Sequence, residues 1–384
     1  MVKTALNDVP AAKALAYVAD DFMRGLRQRL GHIQSESGST HRNLAIEESV
    51  TYVEEVFNDY IAYSGLNHFT GTAAEVGPGD TAGVALLLRD AGCDSVDLVD
   101  RFRSRRDAEQ QRHIYRTLAA RHGMTSTAEL DEDLPGIDWK IGLPAEDYFA
   151  QRSGEADGGC YDLIVSRATL EHLYDPLGAI RNMAACLKPG GRMLHKIDFR
   201  DHGMFTPAQH ELTFLRYPSW LHHLMTRRSG RPNRVLLPKY RELSQRLAQA
   251  GELKTQILVT SLVGENEIVP HVPYAELPQP ALRRAIESVE AERPRMASEF
   301  AGTSSQDLAV TGIFWVAVRP HQATQALGRR AMPDARAATP LTSGPRRVFA
   351  LLAAVSAVMA SWPSRPLAAS KWTSSRRSDV KFRL

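Results

Sequence analysis

The run Ala74-Glu75-Val76-Gly77-Pro78-Gly79-Asp80-Thr81-Ala82-Gly83 constrains this chain more than any other ten residues. An apolar stretch ends on an acidic residue, two glycines follow at a spacing of two, and Val84 to Ala91 reads as a helix. A buried strand, a tight glycine turn and a helix N-terminus gather unpaired backbone N–H groups at one point, where they can cradle one end of a nucleotide-like ligand. A second strand, Ser95 to Asp100, ends on a carboxylate 21 residues after Gly79. A carboxylate so placed can accept hydrogen bonds from both hydroxyls of a ribose. The order acidic-x-Gly-x-Gly departs from the G-x-G-x-x-G of dinucleotide-binding turns.

Around this turn the chain alternates. Strand-like runs fall at 73–76, 96–99, 137–141, 161–165 and 192–198, with helix-like runs at 83–91, 104–121, 144–151 and 176–186. Such βα repetition predicts a parallel sheet covered by helices on both faces, with ligands at the carboxyl ends of the strands. Apolar β-type runs at 255–263 and 310–318 supply two more strands, the last expected to be antiparallel, with helices at 241–250 and 279–293. Two amphipathic helices come first, at 10–31 (Leu15, Val18, Phe22, Leu26, Leu30) and 43–65 (Val50, Val53, Phe57, Tyr60, Ile61). Their apolar stripes are expected to pack beside or over the cleft. The expected fold class is thus α/β, Rossmann-like, with a seven-stranded mostly parallel sheet. The boundaries are a helical N-terminal extension at 1–69, the α/β domain at 70–320 and a basic tail at 321–384. An insertion at about 203–240, after the fifth strand and rich in aromatic, His and Arg residues, is placed to act as a lid.

The formal charge of +3 hides an asymmetry: from Pro333 to the end there are nine Lys or Arg and two Asp or Glu, leaving 38 basic and 42 acidic residues in the body. An acidic body argues against a nucleic-acid substrate, which demands a basic stripe. The tail reads as disordered, and its one apolar run, Val348 to Ala360, is too short for a span of about 20 residues; weak contact of the tail with a membrane surface is the most it offers. Three cysteines without a C-x-x-C pair suit a reducing compartment, and no signal-peptide core opens the chain, so a cytoplasmic location is expected.

Four further segments join the glycine turn: Asp100-Arg101-Phe102; Leu143-Pro144-Ala145-Glu146-Asp147-Tyr148-Phe149; Tyr161 to Leu173, which includes Ser166-Arg167 and ends in Glu171-His172-Leu173; and Leu187-Lys188-Pro189-Gly190-Gly191-Arg192. In this order and spacing they resemble the class I S-adenosylmethionine-dependent methyltransferases over roughly residues 70–200, of the type 11/12-like kind. The resemblance implies S-adenosylmethionine as cofactor. It places Glu75, Gly77, Pro78, Gly79, Asp100, Arg101, Ala145, Glu146, Ser166 and Arg167 around it, with Asp100 on the ribose and Ala145-Glu146 at the adenine. The departures are Gly83 two places beyond the family's third glycine, Asp80 beside the expected methionine carboxylate, and Arg167 where a small or amide residue is usual.

The reaction expected is methyl transfer to a hydroxyl, less readily to nitrogen or carbon, of a small molecule or saccharide. A hydroxyl acceptor needs a base. His172, in the loop after the fourth strand, is the first candidate and His202, with Asp201, the second; Asp198 is placed to touch substrate or cap a turn. His195 reads as a satisfied core residue, and His222-His223 as surface residues, since adjacent helical positions point about 100° apart and do not share one ion; no metal is expected. Trp220, Phe214 and Tyr217 fit either stacking on an acceptor or packing of the lid. The alternatives are a non-catalytic cofactor-binding module, an RNA methyltransferase and a dinucleotide-dependent oxidoreductase. Oligomeric state is left open.

Overall fold

The computed structural model describes residues 9–30, 34–35, 38–124, 134–155, 159–205 and 209–321. The tail expected at 321–384 lies outside the described residues apart from His321. The chain enters through helix α1 (Pro10–Arg29), a two-residue strand β1 (Gln34–Ser35) and helix α2 (Ile46–Ser64). It then alternates through β2 (Gly71–Val76), α3 (Gly83–Asp90), β3 (Cys93–Asp100), the short β4 (Arg103–Ser104), α4 (Ala108–His122), β5 (Ile137–Ile141), α5 (Ala145–Glu155), β6 (Tyr161–Arg167), α6 (Pro176–Cys186) and β7 (Leu187–Asp198). The region after β7 carries α7 (Ser219–Thr226), followed by α8 (Leu237–Gln249), β8 (Lys254–Leu262), α9 (Gln279–Glu292), the single-turn α10 (Ser305–Leu308) and β9 (Val310–Val318).

Seven strands form one sheet in the order β5-β3-β2-β6-β7-β9-β8. Only β9 runs antiparallel, and it does so to both its neighbours. The last strand in sequence therefore lies inside the sheet, and all its residues except Val318 are buried, as an interior strand covered on both faces requires. Strand order reverses between β2 and β6, so the crevice at the carboxyl ends of β2, β3 and β6 is the place for a ligand. One side of the sheet is sealed by Val50, Val53, Val56 and Tyr60 of α2 with α3 and α4. Gly83 opens α3, and a Cβ there would stand 2.9 Å from Val53 Cγ2, so this glycine buys the close approach of α3 to α2.

The expected elements form, with shifted ends. Helix α4 starts at Ala108 rather than 104 because Asp107 caps it, accepting from Gln110 N, while Arg103–Ser104 pair with β1. Helix α8 starts four residues early, with Pro238 in its first turn. The exception of substance is α1. Of its stripe only Val18 packs against the core: Leu15, Phe22, Leu26 and Leu30 are 46%, 52%, 44% and 68% exposed, while Ala14, Ala19, Asp21 and Gly25 are buried. Polar contacts set the rotation of the helix. Asp21, fully buried, accepts from the backbone N–H of Arg228 and Ser229, and the bare Cα of Gly25 admits the Arg228 side chain. Satisfying a buried carboxylate outweighs burying one apolar face.

Candidate active site

The glycine turn leaves β2 with Gly77 at φ 74° and Gly79 at φ 68°. A Cβ at Gly77 would lie 2.3 Å from Thr169 Oγ1, and one at Gly79 2.7 Å from the Gly38 carbonyl oxygen, so neither position accepts a side chain. Asp80 turns away from the cleft. Its carboxylate accepts from the backbone N–H of His41 (3.2 Å) and Arg42 (2.8 Å) and ties the N-terminal extension to the turn. Thr81, standing near the expected third glycine, accepts from Gly83 N at 3.2 Å and starts α3.

These elements bound a cavity of about 330 Å³. Its wall contains Gly77, Pro78, Gly79, Asp100, Arg101, Ala145, Glu146, Arg167 and His172. Asp100, at the end of β3, accepts from Phe102 N at 3.0 Å, and burial raises its carboxyl from 3.8 to about 6. Glu146 Oε1 accepts from Tyr174 N and Asp175 N, holding the loop after β6, while its Oε2 is buried without a hydrogen-bond partner. Three predicted residues sit differently from a simple ligand shell. Ser166 is fully buried and bonded to His195 Nδ1 at 2.8 Å, away from the wall. Glu75 lies behind the wall, its Oε2 unpartnered and its carboxyl pushed up by burial to about 8. Arg167 is on the wall, stacks over Tyr52 and is already paired with Asp59 at 2.9 Å.

The segment expected as a lid, in the chain after β7, packs against α1. Besides the Asp21 contacts, Arg231 pairs with Asp20 and Gln28 Nε2 donates to the Arg228 carbonyl. Asn233 donates to the carbonyls of Leu170 and Leu173 and so fastens the lid to the loop that carries His172. Phe214 is buried core, Tyr217 stacks on Phe205 at 5.4 Å, and Trp220 points outward, so none of the three lines the cavity. His222 is buried against Phe214 rather than on the surface, because α7 turns that face toward the core; His223 is exposed. His195 is fully buried, as expected, but only half satisfied: its Nδ1 meets Ser166 and its Nε2 has no hydrogen-bond partner.

His172 and His202, far apart in sequence, meet edge to face with ring centroids 5.0 Å apart. His202 has φ 50° and is not on the cavity wall. Its Nε2 lies 3.3 Å from Asp198 Oδ2 and 3.6 Å from Glu171 Oε1. Burial opposes its charge, but the hydrogen bond to Asp198 prevails and raises it above the ordinary imidazole value. Burial lowers His172 to about 3, and its Nδ1 has no partner. Asp201 instead caps its own turn, accepting from Gly203 N. Several wall residues lay outside the sequence reading, among them Gly38, Thr40, His41, Tyr52, Ser229 and Gly230. The extension and the lid supply them, and no local spacing marks them.

Two glycines whose Cβ atoms would fill the cradle, a carboxylate at the end of β3 and an unpartnered buried oxygen on Glu146 fit an adenosine carrying an amino-acid end. The model of a methyltransferase domain family matches residues 54–251, just over half of the chain, and the chain belongs to that family. It is an S-adenosylmethionine-dependent methyltransferase. No curated protein matches it. Among solved structures it is similar to a chain of the complex between the Haloferax volcanii Trm112 methyltransferase activator and a methyltransferase, at 14% identity and TM-score 0.39 over 75% of this chain and 99% of that one. It is also similar to the N-methyltransferase NodS of Bradyrhizobium japonicum WM9 in complex with S-adenosyl-L-homocysteine, at 13% and 0.32 over 73% and 90%. A third likeness is to Haemonchus contortus phosphoethanolamine N-methyltransferase 2 with S-adenosyl-L-methionine, at 15% and 0.34 over 72% of this chain and 57% of that one.

Proposed function

We propose that this chain methylates a hydroxyl group of a small molecule or saccharide, with His172 as the base at the cavity wall and His202 as its proton-holding partner. The observation that carries this is the His172–His202–Asp198 array beside the cavity. The cofactor supplies a methyl group already activated on a sulfonium. The chain's own task is to align the acceptor, exclude water and take one proton. The glycine turn and Asp100 would hold the two ends of the cofactor, with Ala145 and Glu146 at its base. The lid, clamped by Asp20 and Asp21, excludes water. Burial keeps His172 neutral, with Nδ1 free to accept. A proton on His202 disfavours a second one on His172, while ionised Asp198 favours it. The pair is therefore competent as a base only once His202 has lost its proton.

Turnover on hydroxyl acceptors is expected to rise with pH through a value above the ordinary imidazole range, the direction in which Asp198 moves His202. In His202→Gln that limb should move or vanish while affinity for S-adenosylhomocysteine stays. His172→Ala should keep the same affinity and lose about 10²–10⁴-fold in turnover. The assay is S-adenosylhomocysteine release across a panel of hydroxyl and amine acceptors, beside calorimetric titration of the cofactor product. Undiminished turnover of His172→Ala, or turnover with amines alone, would refute the proposal.

A further inference from the structure

The outward stripe of α1 is left largely uncovered by the described residues. Leu15, Phe22, Leu26 and Leu30 fall on one face at helical spacing and are 44–68% exposed. Ala19 is buried between Leu15 and Phe22, so the continuous part of the stripe runs from Phe22 through Leu26 to Leu30, with Met23, 37% exposed, beside it and Leu15 standing apart. A contiguous apolar ridge on a chain otherwise able to bury its core marks an interaction surface. Its neighbours give the partner's chemistry. Arg27 and Arg29 are exposed on the same helix. The Arg228 guanidinium lies 6.0 Å from the Phe22 ring, bringing the basic loop after α7 onto the ridge. Trp220, 65% exposed, opens α7, the helix packed against α1. The acids of α1 are turned away: Asp21 is buried on the lid and Asp20 is taken by Arg24 and Arg231.

We propose that this face of α1 docks on an anionic lipid surface. An apolar stripe with basic residues at its edge and a nearby tryptophan is what lies flat at a headgroup boundary. A second copy fits less well, since it would bring the same arginines against one another. Among the described residues no helix is long and apolar enough to cross a membrane, so the attachment is peripheral. The end of the ridge reaches the cavity: Gln28 Oε1 accepts from Arg101, which donates to Tyr174, and both Arg101 and Tyr174 are on its wall. A docked α1 therefore holds the cavity mouth at the lipid boundary.

The test is co-sedimentation of the full chain with vesicles of phosphatidylcholine alone or mixed with phosphatidylglycerol, needing neither cofactor nor acceptor. The full chain should pellet with the mixed vesicles and not with the neutral ones. Phe22→Asp with Leu26→Asp should weaken binding at least about tenfold, and Arg27→Glu with Arg29→Glu should remove its salt dependence, both with unchanged affinity for S-adenosylhomocysteine. As a readout that needs no folded ridge variant, brominated lipid should quench tryptophan emission more in the native chain than in Trp220→Phe. Failure to pellet, binding indifferent to the ridge (which would place it in the tail), equal quenching, or a doubled mass by light scattering that Phe22→Asp halves would each overturn the proposal.

Discussion

Asp100→Asn should make the protein more stable and less able to bind its cofactor. The carboxyl of Asp100 is raised by burial from 3.8 to about 6. That rise corresponds to about 3 kcal/mol. A group raised in the folded state stabilises the fold fully below its unfolded value, and this contribution is lost as the pH climbs through the folded value. Between about 4 and 6 the unliganded chain thus loses stability at this site, and above 6 it carries the whole cost. Asparagine has nearly the same shape, keeps the oxygen that accepts from Phe102 N at 3.0 Å, and has no charge to bury. Denaturant unfolding at pH 7.5 should show the variant more stable by up to about 3 kcal/mol, with the gap closing towards pH 4. Calorimetry at pH 7.5 should show cofactor affinity down about 10–100-fold, the scale of hydrogen bonds to a charged acceptor. A variant less stable than the native chain at pH 7.5, a gap independent of pH, or native affinity would each refute the reasoning.

Two further substitutions test the turn and the lid. Gly77→Ala places a methyl 2.3 Å from Thr169 Oγ1, a hydroxyl held by the carbonyls of Val76 and Arg167, at φ 74°. It should lose about 1–3 kcal/mol of stability and at least tenfold in affinity for S-adenosylhomocysteine, read by thermal unfolding and calorimetry; native affinity would show that the turn does not touch the cofactor. Asp21→Ala strands the backbone N–H groups of Arg228 and Ser229. A loss of about 3 kcal/mol and faster tryptic cleavage at Arg227 and Arg228 are expected, and unaltered cleavage would mean that Asp21 does not hold the lid.

The sheet was legible because its signals are local. Each βα unit has its own apolar run and its own glycine punctuation, so β2, β3, β6, β7 and β9 can be read one at a time. Asp100 and the Gly77–Gly79 turn were legible for the same reason: strand ends and backbone conformation are properties of a short segment. The rotation of α1 was not, because it depends on Asp21 meeting the N–H groups of Arg228 and Ser229 two hundred residues away. Burial of His222 likewise depends on how α7 lies against Phe214. The wall residues Thr40 and His41 lie where Asp80 holds the backbone of His41 and Arg42, and Tyr52 comes from α2. From sequence, Asp80 would repel the cofactor's carboxylate unless it pointed away; in three dimensions it points away and fastens the extension.

Two carboxyls near the cavity have a trait that the paired carboxyls of the fold lack. Asp162 is paired with Lys188, and Glu292 with Arg216 and Arg295. Glu75 and Glu171, by contrast, are buried with an unpartnered oxygen, and burial raises each to about 8. Local rules of polar satisfaction fail where a fold keeps groups for another task. For Glu171 the consequence can be followed one step further. With its carboxyl near 8, it is mostly neutral at pH 7, although its Oε1 is 3.6 Å from His202 Nε2. It then adds little negative charge beside that ring, and Asp198, held low by His202 and Arg200 against its burial, is the principal ionised partner. A fully charged Glu171 would hold the proton on His202 more tightly and push the base-competent form of the His172–His202 pair to higher pH. The burial of Glu171 is thus what lets a histidine pair over one aspartate work near neutrality.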